Sequence, residues 1–153
     1  MLRSVLLDDL RVLAIAGSDR AAFLQGQLTQ DVAAARPDAT VMAGWADAKG
    51  RLLFAGHLFV ARLGTEEALA LLVPAERADT LLKRLRLYIL RAKAQATPLD
   101  APLAGLFDAR LESGDSQCVR LCGPGERHLL LGPAASATRA RPKAGDCLAR
   151  PSS

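Results

Sequence analysis

Along most of the chain apolar residues either alternate with polar ones or run unbroken for a few positions, and this pattern yields to helical spacing in two places. Short apolar runs at 5–7 and 10–15 flank Asp8 and Asp9 and predict a β-hairpin with a polar turn. Gly17 ends the second run. Ser18 then offers an N-cap, and Asp19 places an anion where the helix dipole favours one. Ala21, Ala22, Leu24, Gln25 and Leu28 favour helix, whereas Gly26 is costly inside one. Two short helices around Gly26, ending near Ala35, are therefore expected. Pro37 and Asp38 mark a turn.

Residues 40–46 and 51–63 form the clearest hairpin of the sequence, joined through Asp47-Ala48-Lys49-Gly50. Gly50 supplies the positive φ that a tight turn often needs. Leu53, Ala55, His57, Phe59 and Ala61 share one face of the second strand; Leu52, Phe54, Gly56, Leu58 and Val60 share the other. Both faces are mostly apolar, so this strand should be central and covered on both sides. Residues 68–73 read as another strand. Pro74 and Ala75 then open a helix with Glu76 early and Lys83, Arg84 and Arg86 late, an order that suits the dipole. Ala78, Leu81, Leu82 and Leu85 recur at helical spacing and form its buried stripe. Residues 88–94 read as a further strand.

From Thr97 the character changes. Pro98, Pro102 and the apolar run 103–107 suggest a second unit, and residues 117–121 and 128–131 read as two strands around Gly123-Pro124-Gly125. Beyond Gly132 no period is visible. The expected organisation is a domain at 1–96, part of a second at 97–132 and a disordered basic tail at 133–153. The fold class is α+β, a largely antiparallel sheet with helices packed on it.

Composition agrees with a globular chain: 50% hydrophobic and 24% charged residues over 153 positions. The net charge of +4 is uneven. Six of the 20 basic side chains but only two of the 16 acidic ones fall in residues 120–153. Such a segment either attracts nucleic acid or is a solvated end. No stretch approaches the roughly 18–20 apolar residues of a membrane span, and no signal-peptide core follows Met1. A cytoplasmic protein that avoids membranes is expected. Cys118, Cys122 and Cys147 have neither disulfide-framework nor redox spacing, and His57 and His128 lie far apart. The cysteines read as ordinary thiols, and no metal site is assigned.

Two segments carry the resemblance. The first is Ala16-Gly17-Ser18-Asp19-Arg20-Ala21-Ala22-Phe23-Leu24-Gln25-Gly26-Gln27-Leu28-Thr29-Gln30-Asp31-Val32. The second is Ala43-Gly44-Trp45-Ala46-Asp47-Ala48-Lys49-Gly50-Arg51-Leu52-Leu53. In this order and at this distance they resemble the blocks of the YgfZ family, relatives of the glycine-cleavage T-protein. Residues 87–93 also look like the strand that closes that family's first domain. The resemblance implies the T-protein fold around a cavity for tetrahydrofolate, with roles in iron–sulfur cluster assembly or repair and in tRNA modification. The partners it implies are folate, iron–sulfur client proteins and tRNA, for a monomer. The family's K-G-C-Y-x-G-Q-E motif is absent. Residues 143–147 do not match it, so Cys147 does not inherit that cysteine's role, and a truncated or frame-shifted chain is expected.

By this resemblance Gln25, Gln27, Thr29, Asp31, Trp45, Asp47, Lys49 and Arg51 are the candidate folate-binding residues. Each has a plainer reading. The side chains at 25–31 also suit helix capping, those at 47–51 suit a hairpin turn, and Trp45 suits core packing. The basic run Lys83, Arg84, Arg86, Arg91 and Lys93 suits phosphate or a folate glutamate tail, or a solvated face. His57 reads as a satisfied core histidine. True T-proteins carry an acidic pair in the strand after the turn. Here that stretch is Leu53-Phe54-Ala55-Gly56, which offers no acid or base for aminomethyl transfer. Some members also have a tryptophan where this chain has Leu10. The expected role is therefore a folate-binding accessory protein with no assigned catalytic residue. A folate-dependent aminomethyltransferase and a non-catalytic RNA- or protein-interaction domain are the alternatives.

Overall fold

The computed structural model describes residues 3–108, 110 and 115–137. Its first two strands are β1 (Arg3–Leu6) and β2 (Leu10–Ala16), but the hairpin expected between them does not form. β1 pairs antiparallel with β7 (Leu103–Phe107), Val5 opposite Gly105. β2 lies between β5 (Glu66–Pro74) and β6 (Gln95–Leu99). The reason is that the connecting backbone is tied to distant partners. Leu7 N–H donates to the Leu103 carbonyl at 2.9 Å, and Ala75 N–H to that of Asp9 at 2.8 Å. Asp8-Asp9 is thus a crossover between sheets.

The antiparallel α+β class is borne out, with the strands divided between two sheets. The larger has five strands in the order β3-β4-β5-β2-β6, where β3 is Val41–Ala46 and β4 Leu52–Leu63. The smaller has four, β1-β7-β9-β8, where β8 is Gln117–Arg120 and β9 Arg127–Leu131. The hairpin around Asp47–Gly50 forms as expected, with Gly50 at φ 79°. So does the pair β8–β9. Two pairings, β1 with β7 and β2 with β6, join the first half of the chain to residues beyond 94.

The two faces of β5 show why the layers stack. Its period of two sends Leu69, Leu71 and Val73 into one apolar cluster and Ala70 and Leu72 into the other. The first cluster lies under α1 (Arg20–Gln25) and α2 (Ala75–Tyr88), and takes in Leu24, Trp45 and Leu58. The second joins the sheets, with Val12, Phe59 and Ala61 against Leu103, Val119, Leu129 and Leu131. β4 contributes to both clusters, as its two apolar faces predict. Order across the molecule is helix, sheet, sheet, with one short helix on the far face of the smaller sheet.

The stripe of α2 is Ala78, Leu81, Leu82 and Leu85, as its spacing predicts. The strand expected at 88–94, including the family-like segment 87–93, is not present. Ile89 N–H donates to the Leu85 carbonyl at 3.2 Å, so the apolar residues here continue a helical turn, and β6 begins only at Gln95. Two short elements do flank Gly26: α1 and a 3₁₀ turn at Val32–Ala34. The residue before α1 is Asp19 rather than Ser18, and its carboxylate accepts the Lys93 N–H at 2.8 Å instead of capping the helix. Gly17, at φ 110°, lets this connection close, because a Cβ there would collide with the Lys93 carbonyl.

The first residues of the segment expected to be a tail are ordered. Pro133–Ala137 form a short helix, α3, whose Ala135 is buried against Ala104, Leu106 and Leu130 on the outer face of the smaller sheet. The rest of that segment, with Cys147, lies outside the described residues. No helix among the described residues is long and apolar enough to cross a membrane.

Candidate functional site

The chain from Gln27 to Asp31 runs beside β3 and borrows its backbone. Thr29 N–H donates to the Gly44 carbonyl at 2.8 Å, and the Thr29 hydroxyl oxygen accepts the Gly44 N–H at 2.9 Å. Thr29 therefore satisfies an edge position of the sheet with its own side chain. Gly44 lets these side chains close over the strand, since a Cβ would sit 3.0 Å from Thr29 Oγ1 and 2.9 Å from Leu52 Cδ1 and both would have to give. One residue on, Leu28 bridges Trp45. Trp45 is 1% exposed, and its indole N–H donates to Gln27 Oε1 at 3.3 Å. Gln25 Oε1 accepts the Val32 N–H at 2.8 Å, and Asp31 Oδ1 accepts that of Ala33 at 3.0 Å, so both hold the 3₁₀ turn.

The second block is organised by Asp47. Its Oδ1 accepts the N–H groups of Lys49 and Arg51, each at 2.9 Å, while Oδ2 takes Arg51 Nε at 2.9 Å. The backbone N–H of Arg51 does most to hold this carboxyl below the usual carboxylate range; the Arg51 side chain, Lys49 N–H and the Arg84 cation act in the same direction. Shielding comes from the turn itself rather than from the protein's bulk. Lys49 and Arg51 project outward, Arg51 with its side chain 76% exposed.

These blocks form one surface. Thr29 and Leu52 meet over Gly44, and Asp47 follows roughly 10 Å along the strand direction. Leu52 is 62% exposed. From α2, Arg84 brings its charge to Asp47 and stacks on the Tyr88 ring at 5.6 Å. Arg84 Nε is buried and has no hydrogen-bond partner. Gln25 and Asp31 fall elsewhere, in a shallow groove of about 370 Å³ with Arg20, Val32 and Glu67 that contains none of Trp45, Asp47, Lys49 or Arg51. The candidates thus split into a helix-side pair and a hairpin-side group. The hairpin group presents exposed cations beside apolar surface and pairs no nucleophile with a base. No group of three side chains among the described residues is arranged to bind a metal ion.

Sequence reasoning missed Arg84 as a neighbour of the Asp47 turn. It also missed Gln117, whose amide donates to the carbonyls of Pro37 and Val60 (2.8 and 2.6 Å) and accepts the Arg62 N–H at 2.9 Å. That one side chain fastens β8 to the larger sheet. No local signal marks it, because its partners lie 55–80 positions away.

No family model matches the chain. It is 35% identical over 107 residues to the tRNA-modifying protein YgfZ of Vibrio vulnificus, which covers 70% of this chain and 32% of that relative. It is 33% identical over 108 residues, with the same coverage, to the protein of that name from Yersinia pseudotuberculosis. In structure it resembles the glycine cleavage system aminomethyltransferase T of Bartonella henselae, with a TM-score of 0.66 at 16% identity over 88% of this chain and 43% of that one. The fold is that of the aminomethyltransferase T class. Over the region matched the chain is similar in sequence to the YgfZ proteins, and it spans about a third of the length of the curated relatives it matches.

Proposed function

We propose that this chain provides the folate-binding surface of a cytoplasmic YgfZ-type accessory protein. Such a protein would act in tRNA modification and in iron–sulfur cluster assembly or repair, and bind tetrahydrofolate without transferring its one-carbon unit. The observation that carries the binding half is the cationic rim at the hairpin. Lys49, Arg51 and Arg84 surround a turn whose carboxylate is already engaged by backbone and by Arg51. The exposed cations Lys49 and Arg51, with the Arg84 guanidinium behind them, suit a carboxylate such as a folate glutamate, and exposed Leu52 offers an apolar contact for the ring. The residues present therefore fit the group.

The non-catalytic half rests on β4. Between Leu52 and Leu63 it carries no Asp or Glu, so no carboxylate on that strand can exchange a proton with a folate nitrogen. This weighs against the transferase alternative.

Equilibrium dialysis of tetrahydrofolate against this chain tests the reading. Saturable binding is expected, weakened about tenfold or more by Arg84→Ala, the loss of one charge-assisted contact. Absence of saturable binding, or binding indifferent to both Arg84→Ala and Lys49→Ala, would show the reading to be wrong. In a parallel gel-shift assay tRNA binding should weaken steeply with salt. Retention at low salt without folate binding would favour the RNA-interaction alternative instead.

A further inference from the structure

A second cluster lies on the other side of β4, where the two sheets meet. Cys122, just after β8, places Sγ 3.5 Å from Nδ1 of His57 on β4. The hydroxyl of Thr40, which precedes β3 and is 4% exposed, stands 2.8 Å from the same nitrogen. Thr40 Oγ1 also accepts the Cys122 N–H at 2.9 Å. With its oxygen engaged in that way, the hydroxyl proton is free to point at Nδ1. Nδ1 is then the unprotonated nitrogen of a neutral imidazole, a tautomer inferred from the network. Burial, with the Arg127 charge as a smaller cause, favours that neutral form.

Arg127 on β9 completes the cluster. It donates to the Cys122 carbonyl at 3.4 Å, and its Nε is buried without a hydrogen-bond partner. Its guanidinium lies against Gly123, where a Cβ would come within 2.8 Å of it. Gly123, Pro124 and Gly125 are exposed, and Cys122 is half-buried beside them, so the sulfur stands at an open rim. A nucleophile, a neutral base in hydrogen-bond reach, a group that orients the base and a nearby cation are the parts of an activated thiol. They come from separate segments of both sheets and are independent of the folate surface.

We propose that Cys122 is a reactive thiol, activated by His57 and oriented by Thr40, that captures small anionic disulfides as a mixed disulfide at the seam between the sheets. Nδ1 of His57 takes the thiol proton as the Thr40 hydroxyl turns away from it, and the Thr40 oxygen then accepts the new Nδ1–H. The Cys122 thiolate attacks one sulfur of the incoming disulfide, the new S–S bond forms, and the original one breaks. The departing thiolate takes the proton from His57 and leaves as a thiol. The incoming disulfide is the oxidant, and Arg127 favours one that carries carboxylates.

The test uses single-thiol forms of the full chain. In the Cys118→Ser, Cys147→Ser form only Cys122 remains; a matched form retains only Cys118. Each is reacted with dithiobis-nitrobenzoate, an anionic aromatic disulfide, and release of the coloured thiolate gives the rate. The Cys122 form should react about tenfold faster than free cysteine and than the Cys118 form. His57→Gln should bring it down by about tenfold, and Arg127→Gln should slow this probe while leaving hydroxyethyl disulfide, a neutral one, unchanged. Mass spectrometry after exposure to glutathione disulfide should find the adduct on Cys122. A Cys122 rate at or below that of the Cys118 form overturns the proposal without recourse to any further variant. So does a folded His57→Gln chain that reacts at the unaltered rate.

Discussion

The two sides of β4 use polar residues in opposite ways. On the side of the two sequence blocks, Gln25, Thr29, Asp31 and Asp47 spend their oxygen atoms on backbone N–H groups a few residues away or on the adjacent strand. At the seam, Thr40, His57 and Cys122 spend theirs chiefly on one another across 17 to 82 positions of sequence. The first pattern makes a scaffold that any ligand would meet already set. The second leaves side chains able to exchange protons. Residues that stand out in a motif are here the builders of a surface, and the side chains with chemistry of their own are ones that no motif marks.

Removing Trp45 should have the largest effect. It is fully buried, joined to Gln27 and packed under the helices, so Trp45→Ala is expected to cost about 3–5 kcal/mol of stability. Urea denaturation would show it. A loss below about 1 kcal/mol, together with impaired ligand binding, would mean that the ring serves a ligand rather than the core, and the contrast between the two regions would weaken.

Thr40→Val comes next. It keeps the shape and removes the hydroxyl, leaving His57 Nδ1 and the Cys122 N–H without their partner at a position that is itself only 4% exposed. A cost of about 1–3 kcal/mol is expected. Thr29→Val is the matching change on the hairpin surface. It strips the acceptor from the Gly44 N–H at an exposed position, where water can replace it, and should cost about 0.5–1 kcal/mol. Equal losses at the two threonines would erase the distinction between buried chemistry and exposed scaffold.

How much of this was legible depended on sequence distance. The hairpin at Asp47–Gly50 and the stripe of α2 were readable because each is set within one or two turns of chain. The partner of β1 was not, since the apolar run at 5–7 is compatible with either sheet and the choice is made by β7, about a hundred residues on. Ile89 and Leu90 misled for a different reason. Apolar residues at a helix end resemble a short strand, and only the Ile89–Leu85 hydrogen bond separates the two. Within the candidate site, composition identified the polar residues of the blocks but not their partners. Arg84 entered by packing, and the Cys122–His57 contact joins residues 65 apart.

Acid titration separates the regions most gently. His57 is held below the ordinary imidazole value of 6.5 by burial and then by Arg127. The unfolded chain therefore binds a proton there before the folded one does. The stability tied to neutral His57 is complete above 6.5 and is lost as pH falls from there toward the lowered folded value. Asp47 is held below 3.8, first by the Arg51 N–H. Its contribution is present above 3.8 and disappears only as pH falls through its own lower value. Mild acid should thus weaken the seam while the hairpin stays intact. In melting temperatures measured against pH, His57→Gln should flatten the slope below 6.5 and leave the one below 3.8, whereas Asp47→Asn should do the reverse. If His57→Gln leaves the upper slope unchanged, the proton responsible sits elsewhere, and the imidazole is not the neutral base that the seam requires.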